Sequence, residues 1–264
     1  MNRIGVSAAD GKRLLHEITC RVQRGTAIGV TGESGSGKTT LLKATMGVLG
    51  KECTLDSGNM ILDGCDLAAL AAVDRRKVAG KSIGFIPQLP MTAFDARLRI
   101  GSQIQAVFRK RLGLNRLDAA QLAQSKLRQV QLSEVERVMR SRPGELSGGM
   151  LQRVALAILF GLNPPYMLAD EPTAALDPDN REAVIQLLLA FKQTSGLLIV
   201  SHDVEVLERI CDQVHVLYNG EFVEQGTMKQ LLDQPRHIWT SQFARSVAQQ
   251  EKGYWLWEKS KYQS

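Results

Sequence analysis

The chain has 264 residues, 33 Lys+Arg against 27 Asp+Glu, four cysteines and 5% aromatics. That length suits one or two domains, and 44% hydrophobic with 23% charged residues is ordinary globular composition, which excludes disordered and collagen-like classes. The longest apolar stretch, Val154 to Leu162, falls short of the roughly 18–20 residues that span a bilayer, and Met1 to Gly5 shows no apolar signal core.

Cys20, Cys53, Cys65 and Cys211 lack CxxC spacing, so neither a zinc cage nor a disulfide framework is expected, and a cytosolic location is the default. The net charge of +6 suits nucleic acid, an anionic ligand or a membrane surface. Aromatics are uneven: none precedes Phe85, whereas Trp239, Phe243, Tyr254, Trp255, Trp257 and Tyr262 crowd the last 26 positions.

In chain order, Ala27–Thr31 reads as a short buried strand and Thr39–Met46 as a helix, with a glycine-rich turn between them. Met60–Leu62 and Ser82–Ile86 are strand-like and bounded by turn residues. From about Gly101 to Arg140 the pattern is helical, and Met150–Leu162 is a strongly apolar helix. Buried strands at Tyr166–Ala169 and Leu197–Val200 alternate with helices at Arg181–Lys192 and Val204–Ile210. Val214–Tyr218 and Glu221–Val223 flank Asn219-Gly220 as a hairpin. Short apolar strands alternating with helices predict a parallel α/β sheet, interrupted by a helical insertion over about 89–160.

Gly32-Glu33-Ser34-Gly35-Ser36-Gly37-Lys38-Thr39 fits G-x-x-x-x-G-K-[ST] between a strand and a helix, followed by Thr40. Glycines let successive N–H groups curl round phosphate oxygens, and the helix N-terminus adds positive potential. Lys38 is then placed for the β- and γ-phosphates and Thr39 for Mg²⁺. Asp170-Glu171 ends a buried strand, where ligands bind in such sheets: Asp170 for Mg²⁺ and Glu171 for the attacking water. Asp-Glu-Pro is also good helix-capping chemistry, so the pair gains meaning from the phosphate loop beside it. Leu146-Ser147-Gly148-Gly149 opens another helix with a second anion-binding start, and Ser201-His202-Asp203 puts an imidazole at the same sheet edge.

In this order, the motifs resemble the ATP-binding subunits of ABC transporters over about residues 10–235. The resemblance implies a P-loop NTPase of ABC type: a RecA-like parallel core, an N-terminal antiparallel β subdomain and an inserted α-helical subdomain. The implied domains are 1–88 with 161–235, then 89–160, then an accessory tail at 236–264. It implies that Gly32 to Thr39 is the Walker A loop, Gln88 the Q-loop glutamine and a Mg²⁺ ligand, and Ser147 to Gly149 the signature. Glu171 is then the catalytic base, Ala174-Ala175-Leu176-Asp177 the D-loop, and His202 the switch histidine. Two such subunits would sandwich two ATP molecules head to tail, so the second helix start serves a partner's ATP. Hydrolysis would drive two permease subunits and, indirectly, a substrate-binding protein, with this chain peripheral on the cytoplasmic face of the membrane.

Gln88 to Phe94, Arg99 to Ile104 and Pro235 to Thr240 resemble the peptide/nickel importer branch, and Leu146 to Arg153, with Met150 at its fifth position, and Asn163 to Glu171 are similar to the nickel-import ATPases within it. Nickel or a metal chelate is the expected cargo, with peptides as the alternative. No cysteine follows Cys211, so the iron–sulfur cluster of many peptide-importer ATPases is not expected. The family's adenine-stacking aromatic is missing. Arg13 or His16 offers a planar cationic substitute, unless the partner subunit does more of the holding, and similar binding of ATP and GTP follows. An ABC-type ATPase acting on nucleic acid is disfavoured, because no basic run with interleaved aromatics lies outside the tail. A GTPase switch fails for lack of an Asn-Lys-x-Asp motif. The basic aromatic tail suits either a headgroup or partner interface, or a helix packing on the nucleotide domain.

Overall fold

The computed structural model describes residues 1–174 and 176–261, with side chains at all of these except 72, 76, 79, 80 and 250–261. Strands β1 (Asn2–Ala8), β2 (Arg13–Ile18) and β4 (Cys53–Asn59) form an antiparallel sheet in the order β2-β1-β4. The main sheet has the order β11-β10-β3-β9-β8-β7. It comprises β3 (Ala27–Gly32), β7 (Ile83–Ile86), β8 (Tyr166–Asp170), β9 (Gly196–Val200), β10 (Gln213–Tyr218) and β11 (Glu221–Gly226). All neighbours are parallel except the edge strand β11, which returns from β10 through Asn219-Gly220, both at positive φ. Ile61–Leu62 (β5) and Cys65–Asp66 (β6) make a small hairpin.

Alternation along the central strands covers both faces of the sheet, as a parallel sheet requires. Leu198 and Val200 join Leu41 and Leu42 of α1 (Lys38–Thr45), and Ile4, Val6 and Leu15 of the antiparallel sheet, in one core. Leu197 and Ile199 face the other way. They share a larger core with α6 (Gly148–Leu162), α7 (Pro178–Lys192) and α8 (Val204–Ile210). The short α2 (Ala72–Ser82) leads into β7.

The region read as one helical stretch is three helices: α3 (Ile100–Leu112), α4 (Arg116–Gln129) and α5 (Val135–Arg140). Gly113, at φ 71°, stops α3, and Asn115 caps α4 by accepting the Asp118 N–H at 3.0 Å. Phe108 of α3 is fully buried where α6 presents Gly161, so close that a Cβ there would meet the ring at 2.3 Å.

After α9 (Met228–Asp233), the tail forms α10 (Ile238–Lys261). Trp239 and Phe243 stack at 5.1 Å and pack on the larger core. Packing on the larger core therefore accounts for these two aromatics. Tyr254, Trp255, Trp257 and Tyr262 lie outside the described side chains, as does Ala175 of the expected D-loop. Among the described residues, no helix is long and apolar enough to cross a membrane.

Candidate functional site

The chain leaves β3 through Gly32, whose φ is 148° and whose hypothetical Cβ would lie 1.9 Å from the Leu217 carbonyl oxygen of β10. Only glycine permits that approach. Gly37, at φ 107°, caps α1, and a Cβ on it would meet Leu15 at 2.8 Å and the Leu14 carbonyl at 3.0 Å. On the far side, the Gly220 N–H donates to the Ser36 carbonyl at 3.1 Å. The loop is thus clamped between β2 and the β10–β11 turn, and α1 begins with its free N–H groups toward the loop.

Lys38 folds back over this loop. Its Nζ donates to the Gly32 carbonyl at 2.8 Å and to the Glu33 carbonyl at 2.7 Å, leaving one donor for a ligand oxygen. Burial lowers its pKa, against the opposing pull of Glu171, Asp170 and Glu33. Thr39 donates from Oγ1 to Asp170 Oδ2 at 3.3 Å. Asp170 ends β8 and is itself buried, which raises its pKa.

Glu171 follows with a left-handed backbone, φ 46°, and donates its N–H to the Val200 carbonyl at 2.8 Å. A positive φ on a glutamate is uncommon and marks a position held by its surroundings. Its Oε2 accepts from Ser201 Oγ at 3.2 Å and from the His202 N–H at 3.3 Å. Its Oε1 is buried without a hydrogen-bond partner among the described residues and lies 3.7 Å from His202 Nε2. Burial raises the Glu171 pKa and lowers that of His202, where Lys38 adds a smaller push in the same direction.

A cleft of about 500 Å³ gathers Ser34, Gly35, Gly37, Lys38, Thr39, Thr40, Gln88, Asp170, Glu171 and His202. These side chains come from the C-terminal ends of β3, β7, β8 and β9, where open α/β sheets bind ligands. Gly32 and Glu33 contribute carbonyls beneath Lys38, and Ser36 is buried within the loop.

Ser147, Gly148, Gly149 and Asp177 do not line this cleft. Ser147 caps α6 by accepting the Met150 N–H at 3.2 Å, and Asp177 caps α7 by accepting the Asn180 N–H at 3.0 Å. Asn180 joins the two groups. A Cβ on Gly149 would touch Asn180 Cγ at 2.5 Å, and Arg153 donates to Asn180 Oδ1 at 2.9 Å.

Sequence reasoning assigned no role to Asn180 or Ser201, nor to Gln152, whose Nε2 donates to the Pro172 carbonyl at 2.9 Å. For Ser201, its place beside His202 was the available signal; for the other two the contacts exist only in the folded chain. Arg13 and His16 line a separate cavity with Glu17, Glu221 and Phe222.

Residues 15–174 match the family model described as ABC transporter. This chain belongs to the ABC transporter family. It is 36% identical over 230 residues to the probable D,D-dipeptide transport ATP-binding protein DdpD of Escherichia coli, covering 86% of this chain and 70% of that one. It is 32% identical over 229 residues to the metal-staphylopine import system ATP-binding protein CntD of Staphylococcus aureus, covering 86% of this chain and 84% of that one. Among solved structures, a dimeric post-hydrolysis state of the ATP-binding cassette MJ0796 bound to ADP and Pi aligns with TM-score 0.74. The two are 25% identical, and the alignment covers 86% of this chain and 97% of that one. The fold is the ABC-type P-loop fold, and this ABC family member is an importer ATP-binding subunit that couples ATP hydrolysis to transport.

The raised pKa of Glu171 has a sign that calorimetry can read. The folded state holds this proton more tightly than the unfolded chain, so the Glu171 contribution to stability falls as pH rises from about 4.5 through the higher folded pKa. Glu171→Gln is therefore expected to raise the melting temperature of the nucleotide-free protein at pH 7.5, with the gain vanishing near pH 4. Scanning calorimetry at the two pH values checks it.

Proposed function

We propose that the cleft binds and hydrolyses Mg²⁺-ATP with Glu171 as general base. The observation that carries this reading is the asymmetry of the Glu171 carboxylate. One oxygen is anchored by Ser201 and the His202 N–H, and the other is buried without a hydrogen-bond partner among the described residues, with His202 Nε2 3.7 Å away. The phosphate loop, Gly32 to Thr39 with Thr40, wraps the phosphates, Lys38 neutralises the terminal ones, and His202 holds the γ-phosphate. Mg²⁺ would be held by Thr39, Gln88 and Asp170, a set of oxygen donors suited to a hard cation, and would supply charge neutralisation on the phosphate oxygens.

Ser147 and Gly148 are exposed at the start of α6, away from the chain's own cleft, so they and Gly149 are proposed to close on ATP held by a partner ATPase, with Asp177 beside them. The dimer named in the MJ0796 structure supports that arrangement. The same reading divides the chain into a nucleotide core (1–88 and 161–235), a helical subdomain (89–160) and a tail (236–264). It places the protein on the cytoplasmic face of the membrane beside two permease subunits, served by a substrate-binding protein.

For cargo we propose nickel or a metal chelate, supported by the 84% coverage of the metal-staphylopine relative. The 36% identity to the D,D-dipeptide relative favours a short peptide as the second reading. Deletion of the gene is expected to abolish uptake of ⁶³Ni or of a nickel chelate and to spare dipeptide uptake; the reverse pattern decides for peptide.

Glu171→Gln tests the chemistry. Hydrolysis should fall by about 10²–10⁴-fold, while ATP affinity is unchanged and ATP-bound dimers accumulate on size exclusion. Turnover within threefold of wild type would assign the base elsewhere.

Base selectivity follows from the missing aromatic. Stacking is worth on the order of 1 kcal/mol, and without it ATP and GTP should compete within about tenfold of each other. A hundredfold preference for ATP in a competition titration would contradict this.

A further inference from the structure

The net charge of +6 is not spread over the molecule. Residues 89–160 hold 12 Lys+Arg against 5 Asp+Glu, leaving 21 against 22 in the remainder. The helical region therefore carries the whole positive excess, and its density is greatest where α3 turns into α4. Arg109, Lys110 and Arg111 occupy the last turn of α3, and Arg116 opens α4. All four are exposed, and among the described residues none has an ion-pair partner. Three other cations of the region are matched, Arg97 with Asp95, Arg128 with Glu136 and Arg137 with Glu134, and the remaining ones are dispersed along it rather than clustered at one turn.

Local stability explains only part of this tip. Cations in the last turn of α3 do complement its dipole, but Arg116 at the first position of α4 opposes the dipole there. Two leucines complete the surface, Leu112 at 41% and Leu117 at 67% exposure. Exposed leucines beside an unfavourably placed cation break the rules that make a helical hairpin stable, and such breaks mark contact surfaces. The occupant can be chosen by chemistry. Clustered Lys/Arg interleaved with aliphatic side chains suits an anionic lipid surface, where the leucines enter the headgroup boundary and the cations meet phosphates. A nucleic-acid surface would offer exposed aromatics for base stacking, and Phe108, the aromatic of this segment, is fully buried.

We propose that the α3–α4 tip is a membrane-contact surface that docks on anionic lipid headgroups. It lies about 20 Å along α3 from the helix start, and none of its residues lines the nucleotide cleft. Contact at the tip would hold the helical subdomain against the bilayer while the phosphate cleft opens and closes.

The experiment is vesicle co-flotation of the purified full chain with phosphatidylcholine vesicles and with vesicles containing 30 mol% phosphatidylglycerol (the composition is a choice of probe, about a third anionic). Wild type is expected to float with the anionic vesicles and not with the neutral ones. R109Q/K110Q/R111Q/R116Q should lose at least about tenfold of that binding, and L112S/L117S a smaller part of it. A variant of equal charge loss on the nucleotide core, K12Q/R21Q/K51Q/K81Q, should stay within about twofold of wild type. Unchanged melting temperature and ATP turnover certify that each variant is folded. Equal loss in the core variant would overturn the proposal, because net charge alone would then explain binding. So would failure of wild type to float, or binding to single-stranded RNA at least tenfold tighter than to anionic vesicles.

Discussion

An ammonium held between two main-chain carbonyls, with two buried carboxylates beside it, sets the terms for the rest of this structure. Lys38 contacts the carbonyls of Gly32 and Glu33, and Asp170 and Glu171 stand close enough to pull on its charge. Yet burial pushes every one of these groups toward its neutral form: Lys38 and His202 downward, Asp170 and Glu171 upward. A cleft in which burial penalises both signs of charge is poised for a ligand that brings its own compensating charges. A metal–triphosphate does so, offering anionic oxygens to Lys38 and a cation to Asp170. The fold keeps these groups together because the three strands that carry them are fixed in one parallel sheet, with β3 paired to β9 and β9 to β8.

The Glu171 carboxylate, proposed as the general base, is wired outward through short contacts. Glu171 Oε2 accepts from Ser201, Ser201 Oγ accepts the Asp203 N–H at 3.0 Å, and Asp203 takes two hydrogen bonds from Arg181 of α7, at 2.8 and 2.7 Å. Arg181 also pairs with Glu205, and Arg209 bridges Glu205 and Glu182. α7 starts at Asp177, so a displacement of that helix start has a continuous path of polar contacts to the anchored oxygen. Asn180, one turn into the same helix, touches Gly149 and Arg153 of α6. The two helix starts at Ser147 and Asp177 are thereby fastened together, and a partner nucleotide gripped at one would be felt at the other.

The phosphate loop, the Asp170-Glu171 pair and the alternating strands were readable from the residues because each is local: a glycine spacing, a strand end, an alternation of apolar positions. The family resemblance supplied the antiparallel sheet. Its strands were not legible from pattern, since β4 reads Cys-Thr-Leu-Asp-Ser-Gly-Asn and has an almost wholly unburied sequence. The single helical stretch became three helices because Gly113 and Asn115 act as stop and start signals that apolar periodicity does not weigh. Asn180 and Gln152 were beyond reach for a different reason. Their partners, Arg153 and Pro172, are 27 and 20 residues away, and nothing in a local pattern brings them together.

The distribution of charge changes what the composition means. A net +6 on a nucleotide-binding protein invites the explanation that phosphates attracted it, but the body that carries the phosphate cleft is close to neutral, and the excess sits on helices that insert between its strands. In the proposed site, Lys38 and the loop amides would bind phosphate through fixed geometry and partial charges rather than through a field of cations. None of the tip cations lines the cleft, and screening over about 8 Å at physiological salt weakens what exposed charges contribute beyond their own surroundings. The basic composition and the nucleotide chemistry are therefore independent features of this chain. The first needs an anionic partner of its own, and the unpaired, leucine-flanked cations at the turn between α3 and α4 are where that partner has most to gain.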